Sequence, residues 1–214
     1  MINRLQYISQ GVTPADHLQN ISSACDAGCT WVQLRIKDLT AEELLPHAVA
    51  ARRLTSPYNV TLIINDHPTV AVAAGADGVH VGLEDNTVAE ARAIVGDKMI
   101  VGGTSNTWEH IVKHQSEGAD YVGLGPYRFT PTKKKLSPIL SLTGYQAVMQ
   151  KLSGLGIQIP VIAIGGVVTE DITALLRAGV HGIAVSGLIT GAPDKAMLVE
   201  LLYNRLNTSF ACNH

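Results

Sequence analysis

The residues of this chain best suited to chemistry come directly after short apolar runs. Gln33, Arg35 and Lys37 alternate along one run, Asn65-Asp66 ends another, and Asp85 follows a third. Two carboxylates on neighbouring loops suit a Mg²⁺ ion whose shell is completed by water and phosphate oxygens. Ordinary capping of the following helices is the competing reading, open to Asp66 through Pro68. On a strand, Gln33, Arg35 and Lys37 would share one face, where unpaired cations are costly to bury. Either carboxylates answer them inside, or they lie at a mouth and meet an anionic substrate. Thr130, Thr132 and Lys133 put two hydroxyls and an ammonium on one segment, a set that suits a phosphate or diphosphate. Lys134 and Lys135 beside them read as solvated surface. Gly165-Gly166 and Ser186-Gly187 end two later runs, where backbone N–H groups can hold a second phosphate. No Ser-His-Asp set, nucleophile elbow or CxxC marks a covalent nucleophile.

The elements that must position these groups alternate eight times. The strand-like runs are Leu5–Ser9, Trp31–Ile36, Thr61–Asn65, Gly78–Gly82, Met99–Gly103, Tyr121–Gly125, Pro160–Gly165 and Gly182–Ser186. Their Val/Ile-rich composition, with little polar alternation, predicts a parallel sheet buried on both faces. Apolar residues at three- and four-residue spacing predict helices over 15–27, 40–54, 68–74, 87–95, 107–117, 142–152, 169–178 and 194–206. Thr40 with Glu43, Thr87 with Glu90, and Asp194 supply caps. Gly28, Gly75, Gly118 and Gly179 punctuate helix ends, so Asp77 and Asp120 beside two of them read as turn residues. Such an alternation closes into an α/β (β/α)₈ TIM barrel, whose chemistry sits at the strand C-termini. One domain over 1–214 is expected, with a long active-site loop at 126–141.

Bulk properties agree. With 46% apolar and 16% charged residues the 214-residue chain can fill a core. A net charge of −2 gives no overall pull toward nucleic acid or membrane, so an anionic ligand needs a local arrangement. No run reaches the length of a membrane span, and the start lacks a signal-peptide core, so the cytoplasm is the expected compartment. Cys25 and Cys29 read as small core hydrophobes. His110 and His114, one turn apart, fit an outer helix face, and for His80, inside the fourth run, polar access to the mouth competes with core packing on one hydrogen bond.

Across nearly the whole chain these motifs resemble the thiamine-phosphate synthase family. The matching stretches are Gln33–Asp38, Asn65-Asp66 with Ala71–Asp85, Gly123–Pro126, Thr130–Lys133, Ile164–Gly166 and Val185-Ser186. The resemblance implies a transferase joining 4-amino-2-methyl-5-(diphosphooxymethyl)pyrimidine to a thiazole phosphate. Diphosphate would leave first, and the thiazole nitrogen would capture the pyrimidine-methyl cation. Gln33, Arg35, Lys37 and Asn65 would then hold the pyrimidine diphosphate, joined by Lys133. Asp66 and Asp85 would ligate Mg²⁺, and Thr104 would contact the pyrimidine side. Thr130, Thr132, Gly166, Val185 and Ser186 would hold the thiazole phosphate. Arg35, Lys37 and Lys133 would stabilise the departing charge. The implied partners are these two small molecules, with neither nucleic acid nor membrane, and a homo-oligomer is compatible. Leu83, Thr104, Asn106 and Arg128-Phe129 depart from the usual family residues, and none removes a required carboxylate or cation. A related thiazole tautomerase and a non-catalytic binder of thiazole phosphate or thiamine phosphate are the alternatives. The first gives Asp66, Asp85, Arg35 and Lys37 no purpose. An isomerase or aldolase would want a Schiff-base lysine or an acid/base pair at the mouth, and neither is evident.

Overall fold

The computed structural model describes residues 1–129 and 138–208, so Thr130, Thr132 and Lys133 lie outside the described residues. The strands are β1 (Leu5–Ile8), β2 (Trp31–Leu34), β3 (Thr61–Asn65), β4 (Gly78–Val81), β5 (Ile100–Ser105), β6 (Tyr121–Leu124), β7 (Val161–Ile164) and β8 (Gly182–Val185). Each pairs in parallel with its successor, and β8 returns to β1 through Leu5↔Ile183, closing the barrel. The helices are α1 (Pro14–Asp26), α2 (Ala41–Thr55), α3 (Pro68–Ala73), α4 (Val88–Val95), α5 (Trp108–Ser116), α6 (Ser141–Gly154), α7 (Ile172–Arg177), α8 (Gly187–Thr190) and α9 (Lys195–Leu206). None of these described helices is long and apolar enough to cross a membrane.

The predicted elements are recovered with shifts of a few residues, and several shifts carry meaning. β2 stops at Leu34, which leaves Arg35 and Lys37 beyond the sheet and not within the barrel interior. β5 runs on to Ser105, so Thr104 is a strand residue. The stretch predicted as one helix over 169–178 divides into a 3₁₀ turn, Thr169–Asp171, and α7. Thr40 and Thr87 form capping boxes with Glu43 and Glu90, and Asp194 accepts from the Met197 N–H. A further box, Thr13 with Asp16, opens α1.

Two apolar layers result. Between strands and helices lie Leu5, Leu34, Leu62, Ile64, Val79, Val101 and Leu124 together with Ile21, Leu44, Ile111 and Leu202. Inside the barrel, Ile8, Trp31, Ile63, Tyr121, Ile162 and Ala184 form a second cluster, as period-2 alternation requires. Trp31 meets Tyr121 edge-on with centroids 4.9 Å apart, an arrangement worth about 1 kcal/mol beyond its area. Gly102 makes room for the phenol, because a Cβ there would lie 2.3 Å from Tyr121 Cζ.

The turn aspartates are structural. Arg52 pairs with Asp77 and Arg92 with Asp120, each at 2.6 Å. Asp77 also accepts the Leu62 N–H and Asp120 the Val101 N–H, so each arginine–carboxylate pair ties a helix to the start of a strand. These contacts lie at the strand N-termini, remote from the catalytic rim of a barrel.

Candidate active site

The cations beyond β2 meet the acidic groups beyond β3 and β4. Pairing Gln33↔Ile63, Leu34↔Ile64 and Asn65↔His80 aligns the three strand ends. Gln33 Nε2 reaches Asn65 Oδ1 at 3.5 Å, and the Asn65 amide donates to the Asp66 carboxylate. Asp66 has φ 65, a left-handed conformation that aspartate tolerates better than most residues. Its N–H bonds the His80 carbonyl at 2.8 Å, and its carboxylate forms an ion pair with Lys37. His67 is the N-cap residue of α3 and Thr87 that of α4, so neither aspartate caps the helix that follows it. Their carboxyl groups are used within the site.

Asp85 accepts the Gly82 N–H at 3.1 Å. A Cβ built on Gly82 would lie 2.3 Å from Asp85 Oδ2 and 3.7 Å from Asp66 Oδ1, so the two carboxylates converge over this glycine. Burial and the neighbouring Asp66 push the Asp85 carboxyl above its ordinary range. Burial also pushes Asp66 upward, but the hydrogen bonds from Asp85 and Lys37 outweigh it and hold Asp66 low. Burial lowers the half-buried Arg35 guanidinium while Asp66 and Asp85 oppose that effect. Its backbone N–H is fixed by Ser9 Oγ at 3.0 Å, itself 2.8 Å from His17 Nδ1. A cavity of about 370 Å³ opens here, lined by Ile36, Lys37, Asp38, Asp66, His67, Asp85 and Asn86.

The donor set bears on a metal. Among the described residues no group of three or more His, Cys, Asp or Glu side chains could hold an ion by itself. Two converging carboxylates without imidazole or thiolate fit a hard cation that keeps water and substrate oxygens in its shell. Mg²⁺ fits that description.

Thr104 lies on the other side of β4 and is held from both sides of the sheet. Its hydroxyl is 3.0 Å from His80 Nε2 in the barrel interior, and its carbonyl accepts from His114 Nε2 at 2.9 Å on the outside. His114 is therefore buried, contrary to the outer-face expectation. His110 Nδ1 accepts the Asn106 N–H. His114 Nδ1 and Glu117 Oε2, 3.9 Å apart, are both buried without a hydrogen-bond partner. Cys25 and Cys29 lie in the core, and burial pushes their thiols up to about 11 and about 12.

Gly166, Val185 and Ser186 lie at the exits of β7 and β8, apart from the carboxylates. Gly165 and Gly166 have φ 92 and 71. Ser186 precedes α8 and donates to Gln10 Oε1 at 3.3 Å. Arg128 grips Asp171 with both terminal nitrogens, at 2.7 and 2.8 Å, and donates to the Gly166 carbonyl. The residue departures Arg128 and Asn106 thus acquire structural partners, since the Asn106 amide donates to the Gly125 carbonyl. Sequence reasoning passed over Gln6 and Tyr121. A glutamine inside the first apolar run was the available signal, because a buried amide requires partners.

The model of the family described as thiamine monophosphate synthase matches residues 6–189. The chain is 48% identical over 206 residues to a thiamine-phosphate synthase of Flavobacterium johnsoniae, covering 96% of this chain and 97% of that one. It is 44% identical over 200 residues to a Bacteroides fragilis protein of the same name, covering 94% and 98%. The solved thiamine phosphate pyrophosphorylase from Pyrococcus furiosus superposes with a TM-score of 0.78 at 28% identity, covering 95% of each chain. A 3-hexulose-6-phosphate synthase superposes with a TM-score of 0.70 at 19% identity, a likeness of fold alone. By motif, geometry and descent, this chain belongs to the thiamine monophosphate synthase family.

Proposed function

We propose that this chain is a thiamine-phosphate synthase, a Mg²⁺-dependent transferase that joins the pyrimidine-methyl group of a diphosphate ester to the nitrogen of a thiazole phosphate. The observation that carries the reading is the meeting of Asp66, Asp85 and Lys37 around one cavity at the barrel mouth, with Arg35 close enough to feel both carboxylates. A thiazole tautomerase, which has no diphosphate to ionise, would give this cluster nothing to do.

In this reading Asp66 and Asp85 hold the metal, which when bound supplies a positive charge to the leaving diphosphate. Gln33 and Asn65 orient the diphosphate ester, and Arg35 and Lys37 stabilise the charge that develops as the carbon–oxygen bond breaks. Lys133 joins them from the loop. Thr104 faces the pyrimidine. Thr130, Thr132, Gly166, Val185 and Ser186 hold the thiazole phosphate so that its ring nitrogen captures the cation. No general base is required for that capture, which agrees with a site whose described residues offer cations and carboxylates but no catalytic triad. The partners are two phosphorylated small molecules, and the cytoplasm is where we place the reaction.

Incubating the purified protein with both substrates and Mg²⁺, and following thiamine phosphate and diphosphate together, tests the assignment. Equimolar release of the two is expected. No product at any metal or substrate concentration would remove it. The variant Asp66→Ala should lose Mg²⁺-dependent turnover while keeping its far-ultraviolet circular dichroism.

A further inference from the structure

A chain of hydrogen bonds crosses the barrel interior and ends at the substrate mouth. Gln6 Nε2 on β1 donates to Tyr121 Oη on β6 at 3.2 Å, Tyr121 Oη lies 3.0 Å from His80 Nδ1 on β4, and His80 Nε2 lies 3.0 Å from Thr104 Oγ1 on β5. Gln6, Tyr121 and His80 are 2%, 0% and 8% exposed, so unmade hydrogen bonds here carry a full desolvation cost.

For a neutral imidazole, with one donor and one acceptor nitrogen, polar satisfaction gives the chain one direction. Tyr121 Oη already accepts from Gln6, and the partner left for its own proton is His80 Nδ1. Burial pushes the phenol well above its ordinary value, so that proton is retained. An imidazole that accepts at Nδ1 carries its proton at Nε2 and donates to Thr104 Oγ1. The Thr104 hydroxyl therefore receives from below, and its proton turns toward the mouth. Donors linked in series polarise one another, which strengthens the last member. The Thr104 backbone is held at the same time by His114 through its carbonyl.

We propose that Gln6, Tyr121 and His80 are positioning residues that set the Thr104 hydroxyl as a hydrogen-bond donor, selecting a substrate ring that offers an acceptor at that point. This rests on the synthase reading, in which that ring is the pyrimidine and the acceptor one of its nitrogens. A ring presenting a C–H or N–H in that place would leave the Thr104 donor unanswered.

The test begins with the full chain labelled with ¹⁵N-histidine, its His80 signals assigned by their loss in His80→Gln. Long-range proton–nitrogen spectra at neutral pH should show an Nε2–H imidazole, and either the Nδ1–H form or a doubly protonated ring would overturn the proposal. Kinetics supply the second readout. Tyr121→Phe should raise KM for the pyrimidine diphosphate about tenfold, the worth of one hydrogen bond, and leave KM for thiazole phosphate unchanged. Thr104→Ser, which keeps the hydroxyl, should lose far less than Thr104→Val. The double variant Thr104→Val/Tyr121→Phe should be no worse than Thr104→Val alone, because both break one chain. Equal rises in both KM values, or additive losses in the double variant, would mean that the residues only fill the barrel. Absence of turnover in the parent would remove the synthase reading and leave the tautomer to decide the relay.

Discussion

Replacing Asp85 with asparagine should stabilise the metal-free protein and abolish its response to Mg²⁺. The Asp85 carboxylate accepts the Gly82 N–H and meets the carboxyl of Asp66 over Gly82. Asparagine can keep the first contact through its carbonyl oxygen and turn its amide N–H toward Asp66. Like charges about 4 Å apart repel by up to about 4 kcal/mol at an effective dielectric constant near 20. Asp85 lies at an exposed rim where solvent screens the charge. What asparagine gains is therefore nearer to one ordinary hydrogen bond, about 1–2 kcal/mol. For a chain of this size that is a rise of about 2–8 °C in Tm. In the parent, Mg²⁺ at 100 times its Kd should stabilise by about 2.7 kcal/mol, and Asp85→Asn should forfeit most of it. Thermal melts by calorimetry, in EDTA and in Mg²⁺, measure both effects. A variant that melts below the parent in EDTA would show that the carboxylates do not oppose each other. An undiminished Mg²⁺ shift would remove Asp85 from the metal site.

Glu117→Gln should stabilise the protein by about 1 kcal/mol, because a carboxamide can donate to the orphaned His114 Nδ1 while its oxygen still faces Lys113; a lower urea midpoint would show that His114 carries a charge that Glu117 balances. Gly102→Ala should cost about 3 kcal/mol or more, since the added methyl would overlap the Tyr121 ring inside a closed barrel; an unchanged urea midpoint would show that the ring can move aside. Cys25 and Cys29 should resist iodoacetamide at pH 8 in the folded chain and react on unfolding. Their folded pKa values lie above the usual 9, so the stability they contribute is fully present below about pH 9 and fades as pH rises through about 11 to 12. A shallower alkaline loss of stability in Cys25→Ala/Cys29→Ala is the corresponding measurement, and an identical slope would contradict it.

The barrel was legible because strand runs such as Thr61–Asn65 are short, β-branched and bounded by turn residues, and because capping residues such as Thr40 and Thr87 mark helix starts. Strand ends were harder to read. Ile36 continues the apolar pattern of β2, yet pairing stops at Leu34, and the difference decides whether Arg35 and Lys37 lie inside the barrel or at its rim. The pairing of Lys37 with Asp66 was open to sequence reasoning only as one of two alternatives, because it depends on which loops neighbour each other in space. The buried relay was invisible for a related reason. Gln6, His80, Thr104 and Tyr121 are spread over 115 residues and meet only when the barrel closes. His114 illustrates the remaining gap, since one helical turn from His110 places a residue on a face without saying which neighbour that face meets.

Arg128 and Asp171 carry a lesson for engineering. Their two-pronged contact joins the segment leaving β6 to the 3₁₀ turn after β7, and the Gly166 carbonyl completes the clasp. The loop of residues 126–141 is thus not an independently exchangeable part. Grafting a relative's loop that lacks a counterpart of Arg128 into this barrel would strand the Asp171 carboxylate beside the Gly166 turn, 43 residues from Arg128 in sequence. The smallest unit that can be exchanged cleanly is the loop together with the β7 exit that receives it.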